Sequence, residues 1–147
     1  MVSRSQLVFV VMLVAACESE AEQERKFIER ELPDLRSAFA ARSASKVTVG
    51  CAIVTSGVDR MPVKVADEIK RLCYVEEPRL HLENAIASTV KGNAEHPGME
   101  SISCIQLYVE EAFKTMAAHP SKDAGLQKLA DEYTRLCPQE VAKFRLP

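Results

Sequence analysis

Apolar residues recur at the spacing of an α-helix along most of this chain. The strongest stripe predicts one helix over residues 99–119, because apolar side chains return there every three or four positions. Its members are Ile102, Ile105, Val109, Ala112, Phe113 and Met116. A second stripe predicts a helix that Pro138 ends, and its members are Leu126, Leu129, Ala130, Tyr133, Leu136 and Cys137. We expect Val141 and Phe144 to fold back onto the bundle.

Prolines divide the earlier part of the chain into further helices. Pro33 suits the first turn of one helix, Pro62 opens a second, and Pro78 is expected to end that helix and to begin another. The helix after Pro62 carries its apolar face at Val65, Ile69, Leu72 and Cys73. The helix after Pro78 carries Leu82, Ile86, Thr89 and Val90 and is expected to stop at Gly92-Asn93.

Segment 46–55 is ambiguous between strand and helix. It is rich in β-branched residues, which favour a strand. However, Val47, Cys51 and Val54 share one face of a helix, and no other segment offers a strand partner. We therefore predict a helix that Ser56-Gly57 closes.

One eight-residue pattern occurs twice, as ADEIKRLC at 66–73 and as ADEYTRLC at 130–137. A further cysteine lies upstream of each copy. The repetition predicts a pseudo-repeat over about 43–92 and 99–147. The expected fold is therefore all-α, a small disulfide-stapled helical bundle built from two α-hairpins.

The N-terminus has the features of a secretory signal. Arg4 precedes an apolar run at 7–16, which is too short to span a bilayer as a helix. The run ends in Val14-Ala15-Ala16-Cys17, which resembles the lipobox of bacterial lipoproteins, although Leu is commoner than Val at its first position. The alternative is an ordinary cleaved signal with a cysteine nearby.

The lipobox resemblance implies how the chain is processed and where it resides. Residues 1–16 would be removed, and Cys17 would become the first mature residue and carry acyl chains such as palmitate. Residues 17–32 would then form a lipidated tether or first helix, and 33–147 the helical domain. Glu18 is not the Asp that favours inner-membrane retention in enteric bacteria. The expected location is therefore the bacterial cell envelope, at the periplasmic face of the outer membrane.

Five cysteines would leave one thiol unpaired in an oxidising compartment. If Cys17 carries the lipid, the remaining four are Cys51, Cys73, Cys104 and Cys137. Residues equidistant from the turn of an antiparallel hairpin face each other, which favours Cys51–Cys73 around Pro62 and Cys104–Cys137 around Pro120. The pairing 51–104 with 73–137 also respects the repeat. The spacing is too wide for a typical four-cysteine zinc site.

Composition narrows the classes of function. Charged residues make up 27% of the chain, are evenly mixed and sum to −2, unlike the clustered lysine and arginine of nucleic-acid-binding proteins. No tryptophan is available for stacking. The chain has no G-x-S-x-G elbow, Gly-rich phosphate loop or H-E-x-x-H motif. We therefore predict a protein that is not an enzyme and that binds no cofactor, metal or nucleic acid.

Two groups of residues are candidates for chemistry or binding. The repeated charges predict a twofold partner-binding patch or, more simply, a solvated helix face with weak ion pairs; they are Asp67, Glu68, Arg71, Asp131, Glu132 and Arg135. His96 and His119 each precede a proline, which suits a helix end better than a metal or acid–base pair. The sequence around His81 indicates no function for this residue by itself.

Three functions remain open from the sequence. The first is a membrane-anchored periplasmic module that binds an envelope protein partner or assists envelope assembly. Its general plan is similar to that of pilotins, the small helical lipoproteins that escort secretins. The second is a helical bundle that binds or senses a small ligand, with Met99, Phe113 and Met116 lining a pocket. The third is an inhibitor or immunity-type lipoprotein.

Overall fold

The computed structural model describes residues 19–144 and 146, apart from the side chains of Glu100 and Ser101. Cys17 and the apolar run before it lie outside the described residues. Within them the fold is all-α, as predicted, and no strand occurs in this part of the chain. The helices are α1 Glu20–Ala40, α2 Ala44–Thr55, α3 Val63–Arg71, α4 Glu77–Glu95, α5 Glu100–Ser103, α6 Val109–Ala118, α7 Ala124–Leu136 and α8 Pro138–Val141.

Helix α1 runs through Pro33, so the prediction that this proline opens a helix is wrong. The helix instead begins after Ser19, whose hydroxyl accepts a hydrogen bond from the Glu22 amide. Ile28 and Leu32 are buried before the proline, and Leu35 after it. Because the apolar face continues across Pro33, packing outweighs the one backbone bond that the proline cannot donate.

Helix α2 confirms the choice of helix over strand. Its buried residues are the three that share a helical face, Val47, Cys51 and Val54. Helix α1 approaches α2 closely, because a Cβ on Gly50 would lie 2.8 Å from Leu35 Cδ1. The core face therefore outweighs the strand preference of the exposed β-branched side chains.

Helices α3 and α4 are joined by a π-helical turn, Leu72–Glu76, and form one uninterrupted helix over 63–95. We call it the central helix. The prediction that Pro78 separates two helices is wrong. In the turn before Pro78 the Glu77 amide donates to the Leu72 carbonyl, five residues back. This wider bonding accommodates a proline that lacks an amide hydrogen, so the chain continues in one direction.

The central helix contributes to two hydrophobic cores. The first core lies between α1, α2 and the N-terminal half of the central helix; its largest fully buried side chains include Ile28, Leu35, Val47, Val54 and Ile69. The second core lies between the C-terminal half and α6 and α7; its largest include Leu82, Val109, Leu126 and Tyr133. Each core contains one disulfide.

Both predicted disulfides are confirmed. Cys51–Cys73 joins α2 to the π-helical turn with Cα atoms 5.4 Å apart, and Cys104–Cys137 closes the second core at 5.6 Å. Both separations are typical of disulfides. The two bonds hold one helical unit each, as the repeat indicates.

The predicted helix over 99–119 is interrupted. Helix α5 ends at Ser103 and α6 begins at Val109, with Tyr108 between them in the left-handed region at φ 69°. The Cys104 carbonyl accepts a hydrogen bond from the buried Tyr133 hydroxyl at 2.7 Å. Because this carbonyl accepts a hydrogen bond from across the core, it does not accept the backbone hydrogen bond of a next helical turn.

Val141 and Phe144 fold back as expected. Pro138 starts the short helix α8, and Val141, its last residue, packs against the second core together with Phe144. The ring centroid of Phe144 lies 5.5 Å from that of Phe113. Among the described helices, none is both long enough and apolar enough to cross a bilayer.

Candidate partner-binding surface

Four large apolar side chains are exposed together in residues 99–107, which we call the apolar segment. Leu107 is 75% exposed, Ile105 67%, Ile102 57% and Met99 47%. Isolated exposed apolar residues are normal on proteins, but clusters of them mark sites of protein or membrane interaction. The apolar segment is therefore a candidate binding surface.

Hydrogen bonds fix the apolar segment to the domain. The Ser103 carbonyl accepts one hydrogen bond from the Thr89 hydroxyl at 3.0 Å and another from the side-chain amide nitrogen of Gln106 at 2.6 Å. The next carbonyl, that of Cys104, accepts from Tyr133. These bonds satisfy backbone groups inside the domain and leave the apolar side chains pointing outward.

The apolar segment lies along the C-terminal half of the central helix. Ser103 packs against the last turns of α4, because a Cβ on Gly92 would lie 2.7 Å from the Ser103 hydroxyl. The start of α1 lies at the opposite end, where Glu24 pairs with Arg60 just before α3. At 1.5 Å per residue the central helix is about 50 Å long. Ser103 thus lies near one end of the central helix and the start of α1 near the other. The C-terminal end of the segment lies closer to the middle, because the Tyr108 ring is 5.0 Å from that of His81.

The predicted charged patch does not form as two equivalent units. Glu68 accepts two hydrogen bonds from Arg36 of α1, at 2.7 and 2.8 Å, and this guanidinium lowers the pKa of Glu68 despite some burial. Arg71 pairs with Glu76 at 3.3 Å. In the second copy, Asp131 accepts from Gln127 at 3.0 Å.

Neither repeat copy contains its expected ion pair. Within the described residues, no Asp67–Arg71 or Asp131–Arg135 pair falls within 4.0 Å. The remaining member, Glu132, is half-buried on α7. A role for these six side chains in binding a partner stays a prediction.

His96 and His119 end helices, as the simpler interpretation predicts. The His96 amide donates to the Gly92 carbonyl at the end of α4, and the His119 amide to the Thr115 carbonyl at the end of α6. The His119 ring also stacks on Tyr74 of the π-helical turn, with centroids 3.6 Å apart and planes within 3°. This stack joins the second core to the first half of the central helix.

His81 is a buried polar residue that the sequence analysis missed. Its Nε2 atom lies 3.0 Å from the Thr48 hydroxyl and 3.4 Å from a Glu77 carboxylate oxygen. Its Nδ1 atom is buried and has no hydrogen-bond partner among the described residues. His81 sits one helical turn after Pro78 and one before Ala85, both buried. This periodicity could have indicated its burial.

Glu77 also approaches the first disulfide. One carboxylate oxygen of Glu77 and the sulfur atoms of Cys51 and Cys73 all lie within 4.8 Å of one another. Such a group offers ligand types that metals use. In this structure the two sulfur atoms are bonded to each other, so they are not available as thiolate ligands.

Two cavities bear on ligand binding. A cleft of about 820 Å³ lies between the first half of the central helix and the α6–α7 connection. Its charged and aromatic lining comprises Asp59, Lys70, Arg71, Tyr74, His119 and Lys122. Burial, with a smaller effect from Asp59, raises the pKa of Tyr74. Phe113 and Met116 line a smaller cavity of about 270 Å³ whose lining does not include Met99.

Comparison of the chain with models of protein families, with curated proteins and with solved structures finds no match.

Proposed function

We propose that this protein is a lipid-anchored helical lipoprotein of the bacterial envelope that binds a protein partner through its apolar segment. The lipobox-like Val14-Ala15-Ala16-Cys17 supports the anchor. The exposure of Met99, Ile102, Ile105 and Leu107 supports the binding surface, and it is the observation that carries the proposal.

The apolar segment has the chemistry of a protein-binding site. Its exposed side chains are aliphatic or thioether groups, which suit burial against an apolar groove or an amphipathic helix. Its backbone is already held by Thr89 and Tyr133. Binding therefore costs less conformational entropy than it would for a disordered loop.

The position of the apolar segment suits a partner away from the anchoring membrane. A lipid on Cys17 would sit close to the start of α1, because α1 begins at Glu20. The apolar segment lies along the C-terminal half of the central helix, whereas the start of α1 lies near its N-terminal end. The proposed partner is thus a periplasmic protein or the periplasmic domain of an envelope protein.

Capture by variants tests the binding surface. Full-length protein carrying Ile105→Ser and Leu107→Ser is compared with the wild type for crosslinking to envelope proteins. The matched control is Val63→Ser, because Val63 is 75% exposed, as Leu107 is, but lies at the start of α3. We expect a partner crosslinked by the wild type and the control to be lost from the double variant. Equal recovery from all three, or no partner at all, contradicts the proposal.

The anchor is tested separately. We expect the mature protein to have the mass of an acylated Cys17 and to sediment with outer membranes. Cys17→Ser should release it from the membrane fraction or leave its signal uncleaved. A mature form without acyl mass contradicts the lipoprotein assignment but leaves the binding surface untouched.

The large cleft favours ligand binding as a second candidate function. Its volume of about 820 Å³ is in the range of ligand sites. Lys70 pairs with Asp59 at 4.0 Å and Arg71 with Glu76 at 3.3 Å, whereas Lys122 forms no ion pair among the described residues. The charge of Lys122 therefore favours an anionic ligand. Native mass spectrometry of the purified full chain should then show a bound anion that Lys122→Ala removes. A spectrum of the free protein alone counts against this function.

A further inference from the structure

The conformation of residues 99–108 conflicts with the periodicity of their sequence. Ile102 and Ile105 lie on the same helical stripe as Val109 and Ala112. Val109 and Ala112 are buried in the second core, whereas Ile102 and Ile105 are mostly exposed. If α6 continued upstream without interruption, Ile102 and Ile105 would turn toward the same side as Val109 and Ala112.

The point of interruption is conformationally unfavourable. Tyr108 adopts φ 69°, a left-handed conformation that large aromatic residues rarely occupy. Such a conformation persists only where surrounding contacts hold it. The interruption at Tyr108 therefore depends on other interactions.

Side-chain hydrogen bonds occupy two backbone carbonyls that a continuous helix would use. In such a helix the carbonyls of Ser103 and Cys104 would accept from the amides of Leu107 and Tyr108. In the structure these carbonyls accept from the side chains of Thr89 and Tyr133. The Cys104–Cys137 disulfide holds Cys104 beside the end of α7, which keeps its carbonyl within reach of Tyr133.

Enough residues lie between α4 and the apolar stripe to connect α4 to the alternative helix. α4 ends at Glu95, and the helical stripe can begin at Met99, which leaves 96–98 as the connection. Connections of this length join antiparallel helices. Gly98 already has φ 88°, a conformation that glycine adopts without strain in tight connections.

We propose that the Cys104–Cys137 bond is a redox switch of the apolar segment. This inference rests on the proposed function and adds its regulation. With the disulfide intact, residues 99–108 stay interrupted and the apolar side chains are presented. When the bond is reduced, these residues join α6 as one helix, and Ile102 and Ile105 turn inward.

The reduction is an ordinary thiol–disulfide exchange with a dithiol. One thiolate of the dithiol attacks a cysteine sulfur, which breaks the Cys104–Cys137 bond and forms a mixed disulfide. The cysteine that was not attacked leaves in this step as a thiolate. The second thiolate of the dithiol then attacks the dithiol sulfur of the mixed disulfide and displaces the attacked cysteine. The dithiol leaves as a disulfide, and Cys104 and Cys137 each take up a proton. Both cysteines line a cavity of about 330 Å³ that gives access to this bond.

Hydrogen exchange on the full-length protein tests the switch. We compare the wild type with Cys104→Ala/Cys137→Ala, which leaves Cys51–Cys73 intact. The switch predicts that the amides of Leu107 and Tyr108 exchange about tenfold or more slowly in the variant, and that its helical circular dichroism increases. Unchanged or faster exchange, loss of helix, or general unfolding of the variant overturns the proposal.

Two further measurements sharpen the test. Adding Tyr108→Gly to the cysteine variant should reduce the protection, because glycine adopts a positive φ without strain and favours the interrupted form. In the wild type treated with dithiothreitol, alkylation should label Cys104 and Cys137 before the cysteines of the first core. The reverse order, or no effect of Tyr108→Gly, argues against the switch.

The same proteins separate this inference from the proposed function. If the oxidised wild type crosslinks no partner, the proposed function fails, while hydrogen exchange still decides whether the segment switches. If the wild type and the cysteine variant crosslink a partner equally and exchange alike, the switch fails and the binding surface stands.

Discussion

The two copies of the eight-residue pattern have nearly the same buried and exposed positions, but they differ in the ion pairs they form and in how the chain continues after them. Ile69 in the first copy and Tyr133 in the second are both fully buried, and Cys73 and Cys137 both form disulfides. After its cysteine, however, the first copy continues through a π-helical turn into α4, whereas the second ends at Pro138. The pattern thus specifies a helix and its buried face, while neighbouring segments decide how the chain continues beyond the cysteine.

The charged positions show the same contrast. Glu68 of the first copy bonds to Arg36, which α1 brings within reach. The second copy packs mainly against α4, and among the described residues none forms an ion pair with Glu132. Repetition in sequence therefore does not produce a repeated surface, and the two copies need not bind alike.

The largest expected effect is the loss of the first disulfide. We expect Cys51→Ala/Cys73→Ala to lower the free energy of unfolding by about 3–4 kcal/mol, because the bond closes a loop in the unfolded chain. Chemical denaturation monitored by circular dichroism measures this. A loss under about 1 kcal/mol would mean that α2 and the central helix hold each other without the bond.

Truncation of the buried core position in the first copy comes next. Ile69→Ala is expected to cost about 3 kcal/mol, since it removes apolar contacts and leaves a cavity. The control is Val63→Ala, which changes an exposed side chain of the same helix and should cost well under about 1 kcal/mol. Equal effects from the two changes would contradict the assignment of the core face.

Removal of the Tyr133 hydroxyl tests a hydrogen bond that the first copy, with Ile69 at this position, cannot make. Tyr133→Phe keeps the ring but leaves the Cys104 carbonyl without this donor, so we expect a loss of about 1–2 kcal/mol. Burial, with a smaller effect from Glu140, raises the pKa of Tyr133 to about 12.

The raised pKa adds a pH dependence to this prediction. Stability from the neutral phenol is fully present below about pH 10, the ordinary tyrosine value, and is lost as the pH rises through about 12. Tyr133→Phe should abolish this contribution. An alkaline titration that shows Tyr133 ionising at its ordinary pKa would contradict its burial.

The smallest expected effect concerns the charge difference between the copies. Glu68→Gln should cost about 0.5 kcal/mol, because its pair with Arg36 is partly exposed to solvent. Glu132→Gln should have no measurable effect. The pKa of Glu68 is lowered, so its contribution is present above the ordinary value of 4.5 and is lost as the pH falls through its folded pKa. Equal effects of the two changes would show that Arg36 contributes nothing.

Patterns in the sequence predicted the helices and disulfides that depend on residues close together along the chain. The face of Val47, Cys51 and Val54 identified α2 correctly against its strand propensity. The midpoint argument identified both disulfides, even though Cys104 lies outside a helix. These features depend on periodicity and on distance along the chain, both of which the amino-acid sequence shows directly.

The features that were missed depend on contacts between distant segments or, at Pro78, on an irregular helical turn. Pro33 and Pro78 lie inside helices because packing and a π-helical turn accommodate them. The stripe over 99–119 is interrupted because Tyr133, far along the chain, bonds to Cys104. The candidate binding surface results from that interruption. It was not predicted, since the apolar stripe placed Ile102 and Ile105 on the packed face of a continuous helix.

The continuity of the central helix has a consequence for how the protein melts. Each core uses one half of a helix that has no hinge between the halves. If either core opened alone, it would expose the apolar face of a segment still held in place by the other. The two cores should therefore lose their structure in one cooperative transition, and a fragment cut near Pro78 should not fold by itself.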